Sequence, residues 1–239
     1  MHTIQQCGDY EALSQLASDH LISLIENKPD AVICLATGAT PVLTYRYLVE
    51  KIHQRRMNIA DLTIVKLDEW IGLPLSSSGT CETFLQQHIV QPLGLRDNQV
   101  ISFQSEGVDR EECERITNLI AQRGGLDLCL LGLGKNGHLG LNEPGRSLEP
   151  LCHISHLDEK TRQHDMLKAA NYTVKSGITL GLKDILNAKE ILLMVAGEGK
   201  ETAVAHYLKA SINTTVPASF LWLHNRVTCL LDGSLYPYQ

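Results

Sequence analysis

The sequence has no apolar run near the roughly 18 residues that a membrane-spanning helix requires, which excludes an integral helical membrane protein. It has no basic excess either: 21 Lys and Arg stand against 27 Asp and Glu, a net charge of −6. With no cationic surplus to neutralise a phosphate backbone, general nucleic-acid binding is not expected, although a pocket for one phosphorylated metabolite needs only a few cations. Residues 1–10 lack both a basic start and an apolar stretch, so no secretory signal is visible. The seven cysteines are odd in number, widely spaced and without a C-x-x-C pair, which argues against a disulfide framework and against a zinc knuckle. Cys34 and Cys129 lie in apolar runs, where a reduced thiol behaves as a small hydrophobe, and a reducing cytoplasm is the expected compartment. Linkers rich in proline or serine, charge blocks, low-complexity tracts and internal repeats are also missing, so one domain over residues 1–239 is expected.

What is present is an ordinary globular composition, 44% hydrophobic and 20% charged. A chain of this length buries about 70% of its unfolded surface. Continuous apolar runs at residues 31–36, 62–67, 126–131, 191–195 and 227–231 read as buried strands. Unbroken apolar strands suit a parallel sheet covered on both faces. Amphipathic stretches at 10–27, 41–56, 81–90, 110–123 and 201–209 read as helices. In the second of these, Leu43, Tyr45, Leu48, Val49 and Ile52 recur near the helical period, with Pro41 in the first turn. The alternation predicts an α/β fold with an open, doubly wound, mainly parallel sheet. Ligands of such sheets sit beyond the carboxyl ends of the strands, so the residues following each run carry the functional information.

After the first run, Thr37, Gly38, Ala39, Thr40 and Pro41 lead into a helix. A small, Gly-containing turn at a helix start offers free N–H groups and the positive end of the helix dipole, and the threonines add hydroxyls, which together suit a phosphate. An ordinary strand–helix turn with Thr40 as N-cap fits the same residues. The turn is neither a Walker A loop nor a G-x-G-x-x-G fingerprint, so nucleotide binding by those motifs is not supported. The second run ends in Asp68 and Glu69. Successive strand residues face opposite ways, so one of the two acids is expected to enter the cleft, where partial burial raises a carboxyl toward the range of a general base. Two solvated acids at a strand end are the plainer reading.

The strongest local signal is residues 130–145, in which Gly132, Gly134, Gly137 and Gly140 surround Lys135, Asn136 and His138, with Glu143 just before a Pro-Gly turn. On so bent a loop Glu143 can meet His138 and orient an imidazole that exchanges protons near neutral pH. The other histidines, among them His20, His53, His88 and His206, read as surface residues without partners. Near the C-terminus, Gly197-Glu198-Gly199-Lys200 repeats the strand–glycine–helix arrangement. A lysine at a helix start is unfavourable unless an anion lies beside it, though a solvated lysine fits as well.

Taken in order, Thr37-Gly38-x-Thr40-Pro41, Leu67-Asp68-Glu69-Trp70, Gly134-x-Asn136-Gly137-His138-x-Gly140-x-Asn142-Glu143-Pro144 and Gly197-x-x-Lys200 resemble the glucosamine-6-phosphate deaminase family of aldose–ketose isomerases, over essentially the full chain. Within that family, residues 28–145 and 177–189 look most like the deaminating isomerases of galactosamine 6-phosphate. The related 6-phosphogluconolactonases share the fold and the Gly-His step, but not its continuation into Asn-Glu-Pro. The resemblance implies a Rossmann-like, three-layer αβα single domain that binds an amino sugar phosphate and needs no metal or organic cofactor. It implies that His138, oriented by Glu143, opens the sugar ring, and that Asp68 is the base that moves a proton from C2 to C1. Hydrolysis of the resulting imine then releases ammonia. By the same resemblance the phosphate falls to Thr37, Gly38, Ala39, Thr40 and Lys200, with Gly137 in the substrate site.

Three positions depart from the family pattern. Asn136 stands where some members have an acid, which leaves the charge that orients His138 to Glu143 and makes Asn136 a neutral hydrogen-bond partner. A phosphate-binding arginine of the family aligns with Leu167, so Lys168 is expected to substitute, without the guanidinium fork. The basic residues of the family's allosteric N-acetyl sugar phosphate site fall on His153 and Ser155, and the chain lacks the longer tail of hexameric members. Allosteric activation is therefore not expected, and the oligomeric state, a homo-oligomer included, stays open. The expected reaction converts galactosamine 6-phosphate to tagatose 6-phosphate and ammonia in the cytoplasm, with neither nucleic acid nor membrane as a partner. Glucosamine 6-phosphate as substrate, lactone hydrolysis and a non-catalytic sugar-phosphate sensor are the alternatives.

Overall fold

A computed structural model describes residues 2–169 and 172–237. The apolar runs become strands of one seven-stranded parallel sheet: β1 (His2–Cys7), β2 (Val32–Leu35), β3 (Thr63–Lys66), β5 (Val100–Ile101), β6 (Leu128–Gly132), β9 (Glu190–Val195) and β10 (Val227–Asp232), in the order β1-β10-β9-β6-β2-β3-β5. All four residues of β2 and of β3 are buried, as continuous apolar strands require when both faces are covered. Cys34 lies opposite Cys129 in the β2–β6 register, both fully buried and unbridged, so these thiols pack as small hydrophobes. The N-terminal segment, for which the sequence pattern suggested no element, is an edge strand whose residues alternate toward solvent.

Helices flank the sheet. α1 (Tyr10–Asn27) starts where the Asp9 carboxylate accepts the Ala12 N–H at 2.8 Å, and it places Leu13, Ala17, Leu21, Ile22 and Ile25 in the core. α2 (Val42–Arg55) packs beside α1, and α5 (Arg110–Gln122) is capped by Asp109. The helix expected over residues 81–90 is α-helical only in α3 (Cys81–Leu85); a π-helical turn, Gln86–Val90, follows and leads into α4 (Gln91–Leu93). Short helices α6 (Glu159–Arg162), α7 (Asp165–Ala169) and α8 (Leu182–Leu186) precede α9 (Glu201–Leu208). Among the described residues no helix is long and apolar enough to cross a membrane.

Two features of topology position the functional residues. From β2 the chain works outward through β3 and β5, whereas from β6 it works the other way through β9 and β10, so the carboxyl ends of β2 and β6 flank the point where strand order reverses. The second feature is a small antiparallel sheet, β4 (Asp68–Trp70), β8 (Ser176–Thr179) and β7 (His153–His156), in the order β4-β8-β7, which sequence periodicity did not reveal. β4 begins two residues after β3 ends, so the backbone leaves the large sheet at Leu67 and joins the small one at Asp68, opposite Thr179.

Candidate active site

A cleft of about 910 Å³ opens at this switch point. Its first wall is the turn after β2. The Tyr10 hydroxyl, at the start of α1, lies 3.1 Å from the Ala39 carbonyl and 3.0 Å from that of Thr40, and accepts the Leu43 N–H at 3.3 Å. The N–H groups of Thr37, Gly38, Ala39 and Thr40 donate to no protein oxygen among the described residues. Thr40 is not the helix N-cap: α2 begins at Val42 without a side-chain cap, and the Thr40 hydroxyl instead accepts from Lys200 Nζ at 3.3 Å. The turn thus presents unpaired donors at a helix start, the arrangement that binds anions.

Asp68 and Glu69 separate as strand alternation requires: Asp68 lines the cleft, and Glu69 turns into the protein. Glu69 Oε2 meets Lys66 Nζ at 2.7 Å, and both side chains are fully buried; Lys66 also reaches Glu82 at 2.9 Å and the Phe103 carbonyl at 3.1 Å. The remaining acceptor capacity of Glu69 goes to the N–H groups of Trp70, Cys81 and Glu82, at 2.8, 2.9 and 2.8 Å. This network clamps the first turn of α3 onto β4, which brings Cys81 Sγ to 3.4 Å from Asp68 Oδ1. Burial, followed by the Glu69 and Asp68 charges, raises the Cys81 thiol well above its usual range, so it stays protonated and donates to Asp68 while accepting from the Thr37 hydroxyl at 3.3 Å. For Asp68 itself burial dominates; the Cys81 hydrogen bond pulls down, the Glu69 charge pushes up, His138 and Lys66 pull down, and the carboxyl ends at about 6.

The glycine-rich loop after β6 forms the opposite wall. Gly134 carries no side chain because a Cβ there would overlap the His138 ring, which lies directly upon it. Gly140, at φ 56°, lets the backbone pass close to Asp68: a Cβ would sit 3.3 Å from Oδ2 and 2.8 Å from the Thr179 hydroxyl. His138 Nδ1 lies 3.2 Å from the Thr161 hydroxyl and 3.6 Å from Glu143 Oε2, while Nε2 has no protein partner among the described residues. Asn136 braces the pair, donating to Glu143 Oε2 at 2.9 Å and accepting the His138 N–H at 3.1 Å. Burial alone would raise the Glu143 carboxyl; hydrogen bonding from His138, the imidazole's charge, and hydrogen bonds with Thr161 and Asn136 overrule it and hold it below the usual carboxylate range. Glu143 Oε1 is buried without a partner, so what steadies this carboxylate comes through Oε2, on the His138 side. Gly137, expected in the substrate site, lies outside the cleft lining: its carbonyl takes the Ala218 N–H and its α-carbon faces Val216.

Lys200 is the N-cap residue of α9, and burial, then the charge of Lys135, lowers its ammonium to about 8. Neither Lys200 nor Lys135 forms an ion pair among the described residues, although both line the cleft. Lys168 also lines it, whereas Leu167 is fully buried in an apolar cluster with Trp70, Cys81 and Leu141 and offers the cleft nothing polar. On β7, Ser155 is buried and His153 Nδ1 is 2.8 Å from the Leu151 carbonyl.

Several residues of the site were not legible in the sequence. Tyr10, Cys81 and Thr161 belong to no motif, and only the folded contacts reveal them. Of the histidines read as surface residues without partners, His53 and His206 are exposed as expected, but His20 pairs with Glu190 at 2.8 Å, His53 meets the Pro92 carbonyl at 2.9 Å, and His164 lines the cleft. Among the described residues no group of three or more His, Cys, Asp or Glu side chains is arranged to hold a metal ion.

Residues 9–230 match the family described as glucosamine-6-phosphate isomerases/6-phosphogluconolactonase. The AgaI protein of Escherichia coli (strain K12) is 65% identical over 232 residues, covering 97% of this chain and 92% of that one. Glucosamine-6-phosphate deaminase 1 of Bacillus subtilis (strain 168) is 36% identical over 232 residues, 96% of each chain. A solved monomeric glucosamine-6-phosphate deaminase superposes with a TM-score of 0.89 at 35% identity, over 97% of both chains. The 6-phosphogluconolactonase of Trypanosoma brucei, at 19% identity and a TM-score of 0.77 over 98% of this chain and 97% of its own, shares the fold.

Proposed function

The chain belongs to the glucosamine-6-phosphate isomerase/6-phosphogluconolactonase family, and on that premise we propose that it is an isomerase and deaminase converting galactosamine 6-phosphate to tagatose 6-phosphate and ammonia. One observation carries the reading: a buried carboxyl held at about 6 shares a single cleft with His138, an anion-ready turn and an unpaired lysine. The hydrogen on the carbon beside an aldehyde is weakly acidic, so its removal needs a positioned base shielded from water and stronger than an ordinary carboxylate. Asp68 meets both conditions and is still mostly ionised at neutral pH.

The steps follow from these groups. The phosphate docks on the N–H groups of residues 37–40 and on Lys200. His138 Nε2, the nitrogen left free by Thr161 and Glu143, gives a proton to the ring oxygen as the hemiacetal C–O bond breaks and takes up the proton of the C1 hydroxyl, so the open aldehyde forms and the imidazole is restored. Asp68 takes the C2 proton; the electron pair forms a C1–C2 double bond while the aldehyde oxygen takes the proton held on His138 Nε2. Return of the proton from Asp68 to C1 gives a protonated ketose imine. Water adds at C2 with one proton passing back to His138, and the carbinolamine collapses to the ketose as its hydroxyl proton leaves on the nitrogen as ammonia.

The galactosamine assignment is supported by the likeness of residues 28–145 and 177–189 to family members acting on that sugar. It is also supported by a chain far more similar to AgaI, at 65%, than to the Bacillus subtilis glucosamine-6-phosphate deaminase, at 36%. Seven unbridged cysteines fit a reducing cytoplasm as the place of action. Ammonia and ketose phosphate are to be measured from both amino sugar phosphates, with 6-phosphogluconolactone in parallel. We expect equimolar ammonia and tagatose 6-phosphate, and a kcat/KM at least tenfold above that for the glucosamine compound. Equal or faster turnover of glucosamine 6-phosphate overturns the sugar assignment; lactone hydrolysis without ammonia overturns the reaction; no turnover at all favours a sensor.

A further inference from the structure

His164 lies between α6 and α7 and was not singled out by any motif, yet its ring is the group that a side chain on Gly38, in the turn after β2, would meet. A methyl placed on Gly38 would lie 3.4 Å from His164 Nε2 and 3.5 Å from Cε1. The ring is set from both sides. The Met166 N–H donates to Nδ1 at 3.3 Å, so a neutral imidazole carries its proton on Nε2, and the Trp70 ring lies 5.7 Å away, centroid to centroid, at 50°. The backbone is fixed as well, since the His164 carbonyl accepts the N–H groups of Leu167 and Lys168, each at 3.0 Å. Nε2–H has no protein acceptor among the described residues and stands in the cleft beside four unpaired N–H groups.

We propose that His164 is a further phosphate-binding residue of this enzyme: its Nε2–H donates to the phosphate held by residues 37–40 and Lys200. The inference rests on the phosphate assignment made above. Cationic groups gather around that spot: His138, Lys135 and Lys200 act on the imidazole, and Lys160 and Lys168 line the same cleft, whose acids are Asp165, adjacent in sequence, Asp68, Glu198 and Asp232. Burial and then the His138, Lys200 and Lys135 charges hold His164 below its usual range, with Asp165 opposing them, so in the empty site the ring is neutral at pH 7. A dianion placed among these cations reverses the balance: it favours the imidazolium, and the neutral hydrogen bond becomes charge-assisted.

The probe is inorganic phosphate, titrated into wild type, His164→Ala and His164→Gln by calorimetry. The ring C–H resonances that vanish in the glutamine variant are followed by proton NMR across pH, with and without phosphate. We expect His164→Ala to weaken phosphate binding by about tenfold or more, the loss typical of one hydrogen bond to a charged group, and His164→Gln, which keeps a donor, to lose less. In turnover, KM rises by a similar factor with kcat changed less than threefold. In wild type the His164 pKa rises by a unit or more on saturation, a response that a purely structural ring would not give. Phosphate binding indifferent to both substitutions, with an unmoved pKa, overturns this role alone. Absence of phosphate binding to the wild type overturns the phosphate assignment and this inference together.

Discussion

Asp68 gains its basicity from being placed where a carboxylate is poorly solvated, and one thiol limits how far that goes. With the carboxyl at about 6, the ionised form that can accept the C2 proton fills as pH rises, so kcat/KM climbs through pH 6 on its acid side. The Cys81 thiol stabilises the ionised form through its hydrogen bond to Oδ1. Removing it in Cys81→Ala disfavours the charge, so the acid limb moves upward, by about half a unit for a weak S–H donor. A pH–rate profile checks this, and an unmoved or lowered limb would show that Cys81 does not tune the base. At this scale the sequence was informative wherever alternation or a motif applied: facing one acid inward and the other toward the cleft follows from strand geometry. Cys81 and His164 were invisible because their roles come from contacts between segments 13 residues apart for Cys81 and Asp68, and far more for His164 and Gly38.

Among the elements, β4 is the one on which the site depends, and it is held by charge rather than by length. Three residues cannot fix a strand by ladder hydrogen bonds alone, and here the Lys66–Glu69–Glu82 cluster joins β3, β4 and α3. Lys66→Met leaves the Glu69 carboxylate fully buried without its counter-charge. The expected cost is about 3–5 kcal/mol in urea or guanidinium unfolding, and the double variant with Glu69→Gln should recover part of it. A loss below about 1 kcal/mol, within the range of an exposed pair, would mean that the cluster does not anchor β4. The long parallel strands and the helices were legible from unbroken apolar runs and helical spacing. The small antiparallel sheet was not, because strands of three or four residues carry too few alternations to stand out, and β4 follows β3 with a single residue between them.

Over the whole molecule, an acidic chain with no cationic surplus still brings two lysines without a carboxylate partner among the described residues to one crevice. Lys28, Lys51, Lys66 and Lys189 are engaged with carboxylates, whereas Lys135 and Lys200 meet only the cleft. That distribution reconciles a net charge of −6 with a site for a phosphorylated sugar. The strand order supplies the rest, bringing the turn after β2, Asp68 after β3, the histidine loop after β6 and Lys200 after β9 to one crevice from positions spread over more than 160 residues. Order along the chain was enough to recognise these four segments in the sequence; that they converge is a property of the parallel sheet. The central claim is that Asp68 moves the C2 proton of an amino sugar phosphate bound in this crevice. Its most direct test compares wild type with Asp68→Asn on galactosamine 6-phosphate in deuterium oxide, following ammonia and hydrogen exchange at C2 by NMR, with inorganic phosphate binding as a check on the fold. The expected result is that Asp68→Asn binds phosphate as the wild type does but loses ammonia release and C2 exchange by a factor of at least about a thousand. Exchange or ammonia release within tenfold of the wild type would contradict it.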